Sequence, residues 1–580
     1  MSQASMEETR LPIAEGATQH TAADADEDVS IEKQDNDAGS MKAIYLAFSG
    51  LAVVTLAAAL DATSLGVALP IMSNTLHGTA LEAFWSGTSF LLTSTVFQPV
   101  LGALSHIFGR KPFVLGSVAI FAVGCIIAAV ANNFTVILVG RAIQGVGGGG
   151  IIVLTEILVT DLAPLRQRGN FFGLIAAMWA IGSVSGPLVG AGFAQNVTWR
   201  WIFWINLPFC GVGFILIPVY LRLRMKRSSL LSKFKRLDYV GGTLFIGSTT
   251  SFLLSVTFGG VMFRWSSWRI IVPMVIGIAG LIVFYFYERH WAAEPLIRFQ
   301  TFQQRTAAAN YLGTFLHGLI VSGYLIELQC VEADHRALQL WCLIYFLPLY
   351  YQGVKDQSAI HSSLSVFPET FTVAPAAVVA GVVTTITGRF RWAIWSGWVL
   401  TALGTGLLQL MDVDTSTAVW VVINLVLGLG LGLLFPSVAL AIQAAASNSD
   451  VGYAVSMFTF LRSFGQTMGV AVGGVVFQNA LSTQLAEFPN LAEFADTYSQ
   501  DAVAVVELIK QLPKGSEQRA NLVWAYAQAL KKVWWLLLAF ALVAVVAAAF
   551  TEELSMEQAL ETEQGLRDKA KKEKDPEREA

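Results

Sequence analysis

The chain has 580 residues, 54% of them hydrophobic and only 13% charged, with a formal net charge of -4. A soluble protein is about 25% charged, so this composition excludes a globule covered by its own polar surface and fits a body solvated by lipid. The small net charge excludes a nucleic-acid partner, and Cys125, Cys210, Cys330 and Cys342 show no CxxC or CxxH spacing that would frame a zinc site or a disulfide scaffold.

Residues 1–41 open the chain as an acidic tail, with ten acidic and two basic residues in the first forty. So polar a stretch cannot bury enough apolar surface to offset its ordering entropy and is expected to be disordered. It lacks the basic start and apolar core of a signal peptide. From Glu552 on, ten acidic and six basic residues predict a second disordered tail, cytoplasmic, over 552–580.

Between the tails lie apolar stretches long enough to cross ~30 Å of hydrocarbon, which takes ~20 helical residues. They fall near 42–71, 83–105, 112–131, 134–160, 170–194, 201–221, 239–261, 268–288, 306–350 (interrupted), 361–387, 392–410, 417–440, 452–480 and 532–551. The expectation is an all-α polytopic membrane protein of fourteen spans, because the runs are too long and too uniformly apolar for barrel strands.

With the N-terminus inside, the inner short connections carry Arg110, Lys111, Arg166, Arg168, a basic run from Arg222 to Arg236, then Arg289, Arg298, Arg305, Arg389 and Arg391. The outer ones carry little beyond Arg200, Arg264, Arg269 and Lys355, which places both termini in the cytoplasm. Trp199, Trp201, Phe203 and Trp204 fit an outer aromatic belt. Sequons at Asn133 and Asn196 fall on short outer connections, too near the membrane to be strong glycosylation sites. The long outer connection 481–531 is expected to be partly helical from Asp501 to Gln511.

The ninth span is interrupted by residues 321–339, which include Glu327, Glu332, Asp334, His335 and Arg336. Removing those nineteen residues joins 306–320 to 340–350, a normal span of twenty-six. A segment that begins with Val and ends with Gln has the ends of a retained in-frame intron; a re-entrant insertion is the alternative.

Two parts of the chain repeat. Leu69-Pro70 is followed thirty-two residues later by Gly102, which opens the run Gly102 to Lys111 through His106, Gly109 and Arg110. Leu347-Pro348 is followed thirty-three residues later by Gly381, opening a run through Gly388 and Arg389. Duplicated six-span halves are a mark of secondary transporters, which move one half against the other around a midplane site.

At these residues the chain resembles the major facilitator superfamily, in particular its fourteen-span drug:proton antiporters and their fungal toxin and multidrug pumps. The resemblance runs from about 45 to 552. Leu60-Asp61-Ala62-Thr63 through Pro70 resembles a first-span motif, and Gly102 to Lys111 the superfamily loop signature. Arg141-Ala142-Ile143-Gln144-Gly145 resembles the fourth-span motif, and Gly182 to Gly190 the fifth-span motif of exporters. Trp199-Arg200-Trp201-Ile202-Phe203-Trp204-Ile205-Asn206-Leu207-Pro208 is specific in combination. The resemblance implies a major facilitator fold: an N-terminal six-helix half over 42–221, inserted spans 7 and 8 with their linkers over 222–305, and a C-terminal half over 306–551. The loop signature normally has Asp where this chain has His106, so an inner gate would use His106, Arg110 and Asp161.

Ionisable groups inside spans are costly, so each is a candidate functional residue. Asp61 sits ~26 Å along the first span, in its outer half, and is the favoured proton carrier; pairing to Arg or Lys is the structural alternative. Arg141, seven residues into the fourth span, is a fixed positive charge, with Gln144 beside it. Arg462 is the other intramembrane cation, with a role in coupling or in anchoring a neighbouring helix. Glu156, near the inner end of its span, is a second acid or one that simply reaches the interface. Gly182, Gly186 and Gly190 share one helix face, with Pro187 bending the helix; a hinge or seal and static packing fit the spacing equally. The pattern Gly145-Val146-Gly147-Gly148-Gly149-Gly150 lies within a span without a βαβ unit, so it is no dinucleotide site. No Walker motif and no metal-ligand spacing occur, so the expected energy source is the proton gradient, with no cofactor or metal.

The expected function is proton-coupled efflux of small lipophilic organic compounds by a monomer in the plasma membrane, a vacuolar or vesicle membrane being the alternative. Uptake of siderophores or basic amino acids is the rival transport reading. A polytopic membrane enzyme would need a catalytic cluster, and a sensor a folded cytoplasmic domain; the chain offers neither signature.

Overall fold

The computed structural model describes residues 44–558 apart from 67, 70, 73–74, 77–79, 224–228, 261, 326–346, 348–349, 358 and 501. The N-terminal acidic tail and most of the segment 321–339 therefore lie outside the described residues. The principal helices, in chain order, are α1 (Ile44–Gly66), α2 (Ala80–Phe108), α3 (Arg110–Ala129), α4 (Phe134–Leu162), α5 (Arg168–Asn196) and α6 (Trp201–Tyr220). Then follow α7 (Tyr239–Phe258), α8 (Trp268–His290), α9 (Arg305–Leu325), α10 (Ala359–Thr387), α11 (Arg391–Leu410), α12 (Thr417–Ala445), α13 (Val451–Ala486) and α14 (Glu517–Ala549). Among the described residues there is no strand beyond one isolated bridge, Gly259 to Phe263.

Thirteen of these helices are long and apolar enough to cross a membrane, against the fourteen expected. The missing one is α9. Its 21 described residues include Thr306, Asn310, Thr314 and His317, which lower its hydropathy. Those polar groups are buried against helices, not lipid: Asn310 donates to Thr551 Oγ1 at 3.0 Å and His317 Nε2 lies 3.2 Å from the Leu431 carbonyl. The helix also runs on through Leu325, past the start of the expected interruption at 321.

The repeat appears in the packing. α4 lies against α2 and α3 as α12 lies against α10 and α11. It appears in the backbone too. Gly109 has φ 106° and Gly388 φ 66°, so the second glycine of each run makes the left-handed turn that only glycine adopts without strain. The inserted α7 packs on α8 and also touches α2 and α13, where Leu92, Val96 and Leu253 form a small cluster with Phe464 and Met468. Most of α8 exposes Ile271, Val272, Val275, Ile276, Ile282 and Val283, as a lipid-facing helix should.

Three local expectations change. Trp199 and Phe203 are buried core residues and only Trp201 of that group is largely exposed, so the motif is packing more than belt. At the end expected to face outward α13 and α14, with 36 and 33 residues, are longer than a span needs, leaving a connection of 487–516 that holds helices Ala495–Gln500 and Ala502–Gln511. There Lys514 and Arg519 each lie 3.0 Å from Asp356 Oδ2. Burial pushes that carboxyl up, but the bonds from the two cations outweigh it and hold it below the usual carboxylate range. The third change is at the inner end. Residues 552–558, expected in a solvated tail, lie against the bundle end that holds Arg166 and Phe390: Met556 is 2% exposed, Glu553 accepts from the Phe390 amide at 3.0 Å, and Glu557 reaches Arg166 at 3.4 Å.

Candidate functional site

Three groups of buried polar residues stand along the bundle. The outermost lies wholly inside the N-terminal half. Asp61 on α1 is 0% exposed and accepts from three donors: Arg141 Nη1 at 2.6 Å, Gln144 Nε2 at 2.7 Å and Asn206 Nδ2 at 2.9 Å. Arg141 also donates to Gln144 Oε1 at 2.7 Å and, through Nε, to the Ser86 carbonyl at 2.9 Å, with its guanidinium over the Phe90 ring at 4.5 Å. The first-, fourth- and sixth-span motifs thus converge on one ion pair. Asn206 went unassigned in the sequence reading, although a polar side chain inside an apolar span was a readable signal.

The innermost group closes the end of the bundle expected to face the cytoplasm. Arg110 is 2% exposed; its Nε donates to Asp161 Oδ2 at 2.9 Å, its Nη1 to Ser105 Oγ at 2.5 Å, and its Nη2 lies 2.9 Å from His106 Nδ1. The His106 ring stacks on Tyr453 of α13, with centroids 4.3 Å apart. Arg298 covers Tyr453 at 4.4 Å and pairs with Asp450. A histidine in place of the usual aspartate therefore ties the loop to the other half by an aromatic face instead of a charge. Lys111 turns away and donates to the Pro218 carbonyl at 2.9 Å.

Glycine makes the same end shut tightly. A Cβ on Gly102 would come within 2.5 Å of Ser456 Oγ on α13, and one on Gly381 within 2.2 Å of the Gly169 carbonyl on α5. The leading glycine of each repeated run is thus where one half touches the other. Arg168 donates to Gln443 Oε1 at 3.1 Å and Arg166 to the Thr385 and Ile386 carbonyls at 3.0 Å, again across the halves. The bonds described between the halves gather toward this end, so the inner side is closed.

Between these groups is the third. Glu156 is 1% exposed and does not reach the interface: Arg462 Nη2 donates to its Oε1 at 2.9 Å and Thr459 Oγ1 to its Oε2 at 2.6 Å. Nearby, Gln98 Nε2 donates to Ser463 Oγ at 3.1 Å. Another buried acid, Glu369 on α10, escaped the sequence reading; it lies in the C-terminal half near Tyr351, whose hydroxyl accepts from Asn424 at 2.9 Å. The Phe367-Pro368-Glu369 sequence within an apolar run was its signal.

The fifth-span glycines are packing positions. Added Cβ atoms would meet Ala59 Cβ at 2.5 Å (Gly182), Thr63 Oγ1 at 2.0 Å (Gly186) and the Ser64 carbonyl at 2.2 Å (Gly190), all on α1 of the same half. Thr63 Oγ1 donates to the Gly182 carbonyl at 3.0 Å, which fixes that contact. Pro187 lies inside α5. The seal between halves instead uses Gly169 and Gly173, two turns and more further in on the same helix. The α4 glycines have a similar role, with Gly145 and Gly149 against α2 and Gly147 against α3. Asn133 uses its side chain to cap α4, accepting from the Val136 amide at 2.9 Å, and Asn196 is exposed at the end of α5. Among the described residues no three His, Cys, Asp or Glu side chains group to hold a metal.

Arg110→Ala strips Asp161 of its counter-charge within the same half, so it is expected to lower the amount of folded protein and to lower transport per inserted molecule roughly tenfold. Transport per inserted molecule checks this; an unchanged rate would reduce Arg110 to a topology charge.

A family profile described as Major Facilitator Superfamily matches residues 51–238. The chain is 50% identical over 525 residues to "MFS transporter L2" of Phoma sp., covering 90% of this chain and 84% of that protein. It is 34% identical over 544 residues to "Efflux pump FUS6" of Gibberella moniliformis, covering 93% of each. Among solved structures, the proton:xylose symporter XylE matches with a TM-score of 0.54 at 11% identity, over 90% of this chain and 98% of that one. The human organic anion transporter MFSD10 matches with a TM-score of 0.52 at 16% identity, over 88% and 99%. These two likenesses concern the fold. Joined to the duplicated halves, the closed inner end and the converging motifs, the extensive sequence identity places the chain in the major facilitator superfamily, as a multi-span membrane transporter and not an enzyme.

Proposed function

We propose that this transporter exports small lipophilic organic compounds, of the toxin, drug or secondary-metabolite kind, across the plasma membrane in exchange for protons and as a monomer. Closure of the inner end by contacts between two otherwise self-contained halves carries the reading, because rocking of such halves around a central site is how this architecture moves a solute. The names of relatives support the direction: besides FUS6, an "Acurin A biosynthesis cluster MFS-type transporter" of Aspergillus aculeatus is 34% identical over 530 residues.

In this reading the Asp61–Arg141 pair braces the N-terminal half. Its donors all lie in that half, so rocking leaves them in place, and a proton on Oδ1, which accepts from both Gln144 and Asn206, would displace one of those bonds. Expression in a yeast strain deleted for its own exporters, with a panel of labelled lipophilic compounds, tests the function. Lower accumulation of some compounds, abolished by a protonophore, is expected. Equal accumulation of every compound with and without the protein would overturn the proposal.

A further inference from the structure

Coupling to protons requires an acid whose surroundings differ between the two ends of the transport cycle. A ligand, here a proton, shifts a conformational equilibrium only by its differential affinity for the two states. An acid whose partners travel with it binds a proton equally in both states and moves nothing. Asp61 is such an acid, since Arg141, Gln144 and Asn206 belong to its own half.

Glu156 is the opposite case. It projects from α4 of the N-terminal half, and both its donors, Arg462 and Thr459, project from α13 of the C-terminal half. The three lie ~9 Å along α4 from its inner end, on the side where the halves must part for the inner face to open. Parting therefore strips the carboxylate of both partners at once. We infer that Glu156 is the coupling acid of this transporter: its ionised form latches the halves through Arg462 and Thr459, and a proton on it releases the latch and opens the inner face. This inference rests on the proton-coupled reading above and assigns that reading to a residue.

The neighbouring charges are consistent with a one-proton switch. Among the described residues, Arg462 is the charged group that acts on the Glu156 carboxylate. From α9, His317 faces Arg462 and not the acid, with its Nε2 at the Leu431 carbonyl. Further in, Arg110 of α3 and His106 of α2 form a separate group with Asp161, and Arg168 of α5 is held by the Ala163 and Thr160 carbonyls. Arg462 also has somewhere to remain when the acid is neutral. Its guanidinium stands 4.6 Å from the Phe435 ring and 5.4 Å from the Phe458 ring, both in its own half, and such faces hold a cation.

The sign follows from the latch. Parting takes Arg462 and Thr459 away from the carboxylate, so Glu156 binds its proton differently in the two states, and neutralising it removes the ion pair that holds the inner ends of the halves together. In the export direction, a proton taken from outside by the closed form opens the inner face and leaves to the cytoplasm, after which substrate and reclosure reset the latch.

The test uses the full chain in lipid nanodiscs, with Pro112→Cys on the N-terminal half and Thr387→Cys on the C-terminal half carrying nitroxide labels, the native cysteines being replaced by alanine. Both positions are exposed at the inner face. The distance distribution is read between pH 5 and pH 8. The labelled parent is expected to shift from a short to a long distance as pH falls, with the ratio changing up to tenfold per pH unit for one proton. Glu156→Gln should give the long distance at all pH values. Arg462→Lys, which keeps the charge, should retain a pH response that Arg462→Gln loses. If one variant proves unstable, Glu156→Gln with Arg462→Gln removes both charges together and should also be insensitive to pH. A Glu156→Gln protein that responds to pH like its parent overturns the assignment alone. A parent with no pH response, whose export also ignores the proton gradient, overturns proton coupling itself.

Discussion

Asp61→Asn should lose about 3–5 kcal/mol of stability, the usual effect of removing one partner from a buried ion pair. The sequence by itself would have this variant normal in amount and defective only in coupling. Its burial and bonding argue otherwise. Asp61 and Arg141 are 0% and 1% exposed, and two amide groups, from Gln144 and Asn206, point their donors at the carboxylate. An asparagine leaves Arg141 without a counter-charge and sets one amide donor against another. Thermal unfolding in detergent and the amount of protein in membranes are the measurements. Removing both charges, with Asp61→Asn and Arg141→Gln together, should recover part of the loss, because neither charge is then left uncompensated. A stable Asp61→Asn protein that had lost only its response to the proton gradient would return the proton to Asp61 and contradict the assignment to Glu156.

Gly381→Val is expected to abolish export while leaving insertion and the stability of each half near normal. A Cβ at Gly381 would stand 2.2 Å from the Gly169 carbonyl oxygen, and one at Gly169 would stand 2.6 Å from the Gly381 carbonyl. Backbone atoms cannot yield as a flexible side chain would, so α5 and α10 must separate. The contact lies between the halves and not within one, so the clash is relieved by holding the inner face open. A fall in export of at least tenfold is expected, with raised reactivity of inner-face cysteines such as one placed at Thr387. Wild-type export by a well-expressed Gly381→Val protein would mean that this crossing does not tighten during the cycle. The matched Gly182→Val should behave differently: its Cβ would meet Ala59 of the same half at 2.5 Å, so loss of folded protein is the expected result.

Much was legible from one dimension. The apolar runs set the all-helical architecture, since each must satisfy its own backbone within lipid. The basic residues set the expected orientation, and the two glycine–arginine runs exposed the duplicated halves. Both glycines at the turns do take positive φ, because a sharp turn into the next helix needs a residue without Cβ. The candidates Asp61, Arg141, Glu156 and Arg462 were also visible, because a charge inside an apolar span is conspicuous by composition.

Which charges meet was a matter for the tertiary structure. Asp61 and Arg141 are 80 residues apart and Glu156 and Arg462 are 306 apart, and no helical period relates either pair. Only the crossing of α1 with α4 and of α4 with α13 determines that the first pair sits within one half and the second between two. The same limit applied to glycine. Spacing put Gly182, Gly186 and Gly190 on one face, but the identity of the helix opposite decided that this face is internal packing while Gly169 and Gly381 form the seal. The stretch 552–558 shows the limit from the other side: its charge pattern reads as a solvated tail, yet Arg166, Arg305 and the Phe390 amide, far away in sequence, are folded close enough to hold it. Composition reports what each segment can bury by itself, whereas partners brought together by helix crossings depend on the whole bundle.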